Sequence, residues 1–413
     1  MKTKFFLLAM ALMAIFLLVA LISLDRPAQA TKGKIVLGVC EPLSGPMKDV
    51  GDRYVNAVKF SIEKINARGG VLGKELVMIS EDSALKPDVA TRKATKLILE
   101  DKADFIMTGT GSHISLAMMK VAEKYKKIFI TYGTEAASIT GSEFNPYTFR
   151  ACLNTDQHSA AIVAYFAKYT KFKKFYILCQ DYAFGREAAD GFKRKLKTVP
   201  GAQIVGEDYH PIAAKDFAPY VSKIMASGAE VVLTGNWGVD LDNLFKAGAS
   251  LGWKVITGNY FLNDPIRLQI IKEAAIGHVT ADSYMITIDN PENKKFVQEW
   301  YEKHKGLDLG FWYPDLSMGR AYYAIQWLAE VIKKAKSTDA EKIIKAWEGM
   351  SFNPPWGKVT MRACDHQMIT PGVAAVFQEK SEFFRFPYIG KAIIIPEEEL
   401  TVPPAETGNP RCK

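Results

Sequence analysis

Residues 34–83 read KIVLGVCEPLSGPMKDVGDRYVNAVKFSIEKINARGGVLGKELVMISEDS. The run 35–39 is apolar and of strand length. A Gly/Pro-rich turn follows, Glu41-Pro42-Leu43-Ser44-Gly45-Pro46. Val55, Val58, Ile62 and Ile65 then recur at helical spacing, and Gly69-Gly70 stops the helix. Residues 76–80 make a second strand, ending in Glu81-Asp82-Ser83. Strand, loop, helix, strand is the opening of a parallel α/β domain. Ligands of such sheets sit at the carboxyl ends of the strands, where the first loop lies.

The alternation continues downstream. Strand patterns fall at 104–108, 127–131, 173–179, 202–206, 229–234 and 253–257. Helical patterns lie between them, at 87–101, 113–126, 156–170, 185–198, 215–226 and 238–250. From 291 to 350 the chain turns mostly helical, at 291–305, 315–335 and 338–349. Regular βαβα order predicts parallel sheets covered by helices on both faces. With 413 residues and 48% hydrophobic content, the chain suits two lobes rather than one.

The chain begins with Lys2 and Lys4, an uncharged apolar run at 5–24, and then Ala28-Gln29-Ala30. That order reads as a signal peptide cut after Ala30. An uncleaved anchor is the rival reading, since about 20 apolar residues can span a bilayer. The formal charge of +8 is spread along the chain, without a run of five or six like charges. It reads as a solvated surface and not as a nucleic-acid footprint. Export permits disulfides, and of the five cysteines Cys364 and Cys412, near late loops, are the candidate pair. Cys40 and Cys179 lie in apolar strand-like runs and read as buried small hydrophobes. No C-x-x-C, H-E-x-x-H or P-loop motif occurs, so neither an enzyme nor a metal or cofactor site is expected. Arg362, Asp365, His366 and Gln367 form a chemically rich stretch that reads as structural hydrogen bonding. The tail from Pro396, with Glu397-Glu398-Glu399 and several prolines, reads as extended or loose.

Taken together, the Pro-Leu-Ser-Gly turn at 42–45, Gly51, the Ile-Asn-Ala-x-Gly-Gly segment at 65–70, Gly73 and Asp82-Ser83 resemble one family. It is the type I periplasmic solute-binding proteins of ABC transporters, in their branched-chain amino-acid branch. The resemblance continues more loosely to about residue 378. It implies an α/β fold of two doubly wound parallel-sheet lobes joined by a three-segment hinge. The crossings would fall near 151–154, 282–287 and 367–372. Lobe 1 would hold 31–151 plus 285–368 and lobe 2 would hold 152–284 plus 369–395, between a signal peptide (1–30) and a loose tail (396–413). Such a hinge closes the lobes on a ligand. The resemblance also implies a periplasmic location, a small-molecule carboxylate ligand and ABC permease transmembrane subunits as partners.

Five loops hold the candidate ligand residues. Gly111, Ser112 and His113 lie between strand 104–108 and helix 113–126, where free N–H groups suit a carboxylate. Read alone, Ser112 is equally a helix N-cap; the resemblance makes it a carboxylate ligand. His113 reads as a residue of the cleft edge or equally as a solvated first-turn residue. Gly133 and Thr134 follow the next strand, where the resemblance implies a carbonyl and a hydroxyl facing the ligand. Tyr182 and Phe184 precede Gly185, and Trp237 follows strand 229–234. These aromatics are packing residues or a wall of the site. Tyr260 follows strand 253–257, where amino-acid-binding members of the family carry an acid that pairs with the ligand ammonium. Asp181 and Asp264 are the possible substitutes. Ala84 and Gly111 stand where branched-chain amino-acid receptors carry a first-lobe disulfide. The missing acid at Tyr260, with the flat apolar surface of Tyr182, Phe184 and Trp237, implies an aromatic or other non-amino carboxylate ligand. A branched-chain amino-acid receptor and the sensory domain of a signalling system are the alternatives.

Overall fold

The computed structural model describes residues 33–413, and the expected signal segment 1–30 lies outside the described residues. Strands β1 (Lys34–Glu41), β2 (Glu75–Asp82), β3 (Phe105–Thr108), β4 (Ile128–Thr131) and β5 (Thr148–Arg150) form one sheet in the order β2-β1-β3-β4-β5. All its neighbours are parallel. Its register sets Lys34 opposite Glu75 and Glu41 opposite Asp82. β3 and β4 are buried at every residue, as strands covered on both faces must be.

A second sheet repeats the winding. Strands β6 (Lys174–Gln180), β7 (Gln203–His210), β8 (Val231–Thr234), β9 (Ile256–Asn259) and β10 (Val279–Asp282) run parallel in the order β7-β6-β8-β9-β10. A small antiparallel sheet of β11 (Ser351–Phe352), β12 (Val359–Met361) and β13 (Met368–Ile369) joins the first lobe through a bridge between Gln367 and Arg150. β14 (Gly372–Gln378) then adds antiparallel to β10, and β15 (Tyr388–Ile389) and β16 (Ile393–Ile395) pair with β14. In each large sheet the strand order reverses beside its first strand, at β1/β3 and at β6/β8. Both switch points open toward the same space between the lobes.

The late helices belong with the first sheet. Helix Leu316–Ala335 packs along helix Lys48–Ala67, and Ser61 donates to the Tyr322 carbonyl at 2.9 Å. The chain therefore passes between lobes after β5, after β10 and between β13 and β14. Among the described residues, no helix is long and apolar enough to cross a membrane.

Two expectations need correction. β9 begins at Ile256, not 253, because Gly252 takes a left-handed φ of 66° and ends the preceding helix. Trp253 folds back, its N–H bonded to the Gly248 carbonyl at 3.0 Å. The tail is not loose. Leu400 is buried against helix Thr155–Tyr169 of the second lobe. Asn409 donates to the Thr140 carbonyl at 2.8 Å and Arg411 pairs with Glu348 at 2.8 Å, both on the first lobe. Cys412 is disulfide-bonded to Cys364, with 5.1 Å between the Cα atoms. Cys40, Cys152 and Cys179 are free and buried.

Candidate functional site

A cleft with about 520 Å³ of atom-free space, part of it open to solvent, lies between the lobes. The loops after β3 and β4 and the first turns of helices Lys48–Ala67 and Leu316–Ala335 form one wall. The loops after β6, β8 and β9 form the other. Of the sequence-derived candidates, Gly111, Ser112, Gly133, Thr134, Tyr182, Phe184 and Trp237 line this cleft.

On the first wall, Gly111 takes φ 83° at the N-cap and Ser112 is the first residue of helix Ser112–Tyr125. Ser112 does not cap its own helix; its hydroxyl oxygen accepts the Ala136 N–H at 3.1 Å and retains its proton as a donor. The Ile114 and Ser115 N–H groups donate to the Gly111 carbonyl at 2.9 and 3.1 Å, which leaves those of Ser112 and His113 without an acceptor among the described residues. Glu41, at the end of β1, props the loop from below. Its carboxylate accepts the Gly109 N–H at 2.5 Å and the Tyr132 hydroxyl at 3.0 Å, and burial pushes it up to about 7. The Thr134 hydroxyl is occupied by Ser115 and Thr131, each at 2.6 Å. Gly133 makes room for a ring: a Cβ there would sit 2.1 Å from the Tyr54 hydroxyl. His113 is not part of the cleft lining. Its Nε2 lies 3.3 Å from the Leu85 carbonyl, its ring edge meets Tyr182 at 5.4 Å, and burial lowers its pKa.

On the second wall, the Trp237 indole donates to the Tyr182 hydroxyl at 3.1 Å, which fixes both rings. Phe184 lies 5.8 Å from Tyr182 and 5.9 Å from Phe261. Phe261, not Tyr260, completes this wall. Tyr260 is fully buried behind it, stacked on His158 at 3.8 Å. Its hydroxyl is shared with Ser159 at 2.6 Å and donates to the Thr155 carbonyl at 3.0 Å. The later start of β9 causes the difference: Gly258 and Asn259 lie inside the strand, which turns Tyr260 into the body of the lobe.

Of the charged groups lining the cleft, the sequence reading named Asp264; Arg53, Glu135 and Asp315 escaped it. Arg53 bonds Asp264 at 2.7 Å and also Asp315. Glu135 bonds Arg320 at 2.6 Å and His158 at 2.8 Å. Burial pushes the Glu135 carboxyl up, but His158 and Arg320 outweigh it and hold it below the usual range. Burial raises the Asp315 carboxyl despite Arg53. Asp181 stands away from the cleft, exposed and paired with Arg186 at 2.7 Å. Arg53 had a signal: it falls three residues after Val50 and four before Ala57, on the face of its helix that is buried. Glu135 had none, because it follows β4 in an irregular loop.

Two doubly wound lobes around a cleft at their strand ends define a bilobal ligand-binding protein. The periplasmic binding protein family matches residues 34–382, and the chain belongs to it. A Leu/Ile/Val-binding protein homolog 4 of Brucella melitensis is 27% identical over 375 residues, which cover 88% of each chain. Among solved structures, the leucine-, isoleucine-, valine-, threonine- and alanine-binding protein of Brucella ovis, in a closed conformation, superposes with a TM-score of 0.78 at 25% identity. The match covers 90% of this chain and 97% of that one. A solute-binding protein of an ABC transporter from Rhodopseudomonas palustris, in complex with 3,4-dihydroxybenzoic acid, superposes with a TM-score of 0.79 at 24% identity. That match covers 89% of this chain and 99% of the other.

Proposed function

We propose that this protein is an exported receptor that captures an aromatic or other non-amino carboxylate and delivers it to ABC permease transmembrane subunits. The observation that carries the ligand class is the pairing inside the cleft. Each carboxylate lining it, Glu135, Asp264 and Asp315, is already bonded to a guanidinium. The Ser112 and His113 N–H groups, without an acceptor among the described residues, are by contrast open to an anion. A ligand carboxylate at Ser112 and Gly111 would thus find donors, whereas an ammonium group would meet acids that each already have a guanidinium partner. Tyr182, Phe184, Trp237 and Phe261 offer flat apolar surface for a ring. The fold also accommodates such ligands, as the 3,4-dihydroxybenzoic acid complex illustrates.

One observation favours a branched-chain amino-acid ligand instead. Arg53 serves two carboxylates at once, so the far end of the cleft has one acid more than that guanidinium balances. The curated relative from Brucella melitensis, a Leu/Ile/Val-binding protein homolog, supports this second reading. Calorimetry with 4-hydroxybenzoate, 3,4-dihydroxybenzoate, leucine and valine separates the two. Aromatic acids are expected to bind at least about tenfold tighter, or about 1.4 kcal/mol. Tight leucine binding without response to aromatic acids overturns the proposal and makes Asp264 and Asp315 the counter-ions.

A further inference from the structure

The rim of the cleft carries a run of six charged side chains drawn from both lobes. Asp49, Arg53 and Asp315 come from the first, and Asp242, Asp264 and Arg267 from the second. Two ion pairs cross the cleft: Arg53 to Asp264 at 2.7 Å and Arg267 to Asp49 at 2.7 Å. Arg267 also holds Asp242 at 3.0 Å within its own lobe. Except for Asp49, which is a quarter exposed, these side chains are buried. A further cross-cleft contact joins the loop after β4 to helix Ala183–Leu196, where Glu187 accepts the Ser138 N–H at 2.9 Å and its hydroxyl at 2.7 Å.

The charges of this run do not balance. Two guanidiniums face four carboxylates, and one buried oxygen of Asp242 has no hydrogen-bond partner. Asp242 is faced by Arg267 and Asp264 from the segment after β9, by Lys246 on its own helix and by Asp49 across the cleft. The helix Ala218–Ala226, also packed on it, carries one charged residue, Lys223, which is turned to Asp208. Bringing the lobes together buries the excess of acid and moves Asp49 toward Asp242 and Asp264. A buried surplus of carboxylates is relieved by binding a proton.

We propose that closure of the two lobes takes up a proton at this cross-cleft Asp–Arg cluster, so the receptor is held shut more firmly as its surroundings acidify. The inference rests on reading the chain as a receptor whose lobes open and close. In the closed form burial pushes the Asp242 carboxyl up to about 7, with Asp264 and Asp49 adding to burial and Arg267 opposing it. In the open form, with Asp49 withdrawn and solvent admitted, the carboxyl is held lower than in the closed form. The closed form then binds the proton more tightly. Its advantage is full below the open-form pKa and is lost as pH rises through about 7.

The test is small-angle scattering of the full chain, washed free of ligand, at pH 5.5 and 8.5. The wild type is expected to be more compact at pH 5.5, with the closed-to-open ratio rising by up to about tenfold per pH unit. Asp242→Asn, which removes the titrating charge, is expected to be compact at both pH values. Asp49→Asn, at the more exposed end of the latch, is expected to be more open than wild type at pH 8.5. A wild-type radius that is the same at both pH values overturns the proposal, and so does an Asp242→Asn variant that keeps the full pH dependence. Because no ligand is present, an error in the assigned ligand class leaves this result untouched.

Discussion

Ser112 and Tyr260 show how two residues read alike from sequence do different work. Both follow strands at the cleft end of their sheets, yet one lines the cleft and the other lies behind its wall. A hydrogen bond to a charged group contributes roughly 1.5–3 kcal/mol, so Ser112→Ala is expected to weaken carboxylate binding about 10- to 100-fold. The same substitution leaves the buried Ala136 N–H without its acceptor, and the melting temperature falls too. Tyr260→Phe removes a hydroxyl that serves Ser159 and Thr155 and touches no ligand. It is expected to lower stability by about 1–3 kcal/mol while ligand affinity stays unchanged. Denaturant titration and calorimetry on both variants check the contrast. An affinity loss in Tyr260→Phe equal to that in Ser112→Ala would return Tyr260 to the binding surface.

At the scale of elements, alternation was legible because helices and strands impose different periods on their apolar residues. Helix Pro87–Leu99 begins where Pro87 announces it, and helix Ser112–Tyr125 falls within a residue of its expected span. What the pattern missed has physical causes. Strand β5 is three residues long and helix Pro265–Ile271 is seven, too short for either period to register. β9 was displaced because Trp253, a good strand former, is held by its helix through Gly248. The C-terminal segment is ordered by contacts distant in sequence, which proline and glutamate content does not report. Its anchor is the Cys364–Cys412 disulfide, whose halves are 48 residues apart. Cross-linking a loop of that size stabilises a fold by about 2–4 kcal/mol. Reduction, or Cys412→Ser, is expected to lower the melting temperature, with peptide mapping of the unreduced protein showing the linked pair. Free thiols at both positions would remove this account of the tail.

At the scale of the whole molecule, function depends on how closely the lobes can approach. Gly238 records that approach: it takes φ 57°, and a Cβ there would lie 2.5 Å from the Met47 sulfur of the opposite lobe. In the closed form the position therefore excludes a side chain for two reasons. The backbone, with positive φ and ψ −139°, disfavours one by about 1–3 kcal/mol in any form, whereas the clash with Met47 exists only when the lobes meet. Gly238→Ala is thus expected to leave the ligand-free protein folded, to weaken binding and to reduce the compaction that ligand produces. Truncating the opposing side chain relieves only the second effect, so Met47→Ala combined with Gly238→Ala should regain much of the lost affinity. The interaction energy of the pair isolates the closure contact from the backbone strain. Calorimetry and scattering on the two single variants and the double variant decide the matter. If the two losses simply add, Met47 and Gly238 do not meet in the ligand-bound form, and the bound receptor is more open than the contacts across this cleft require.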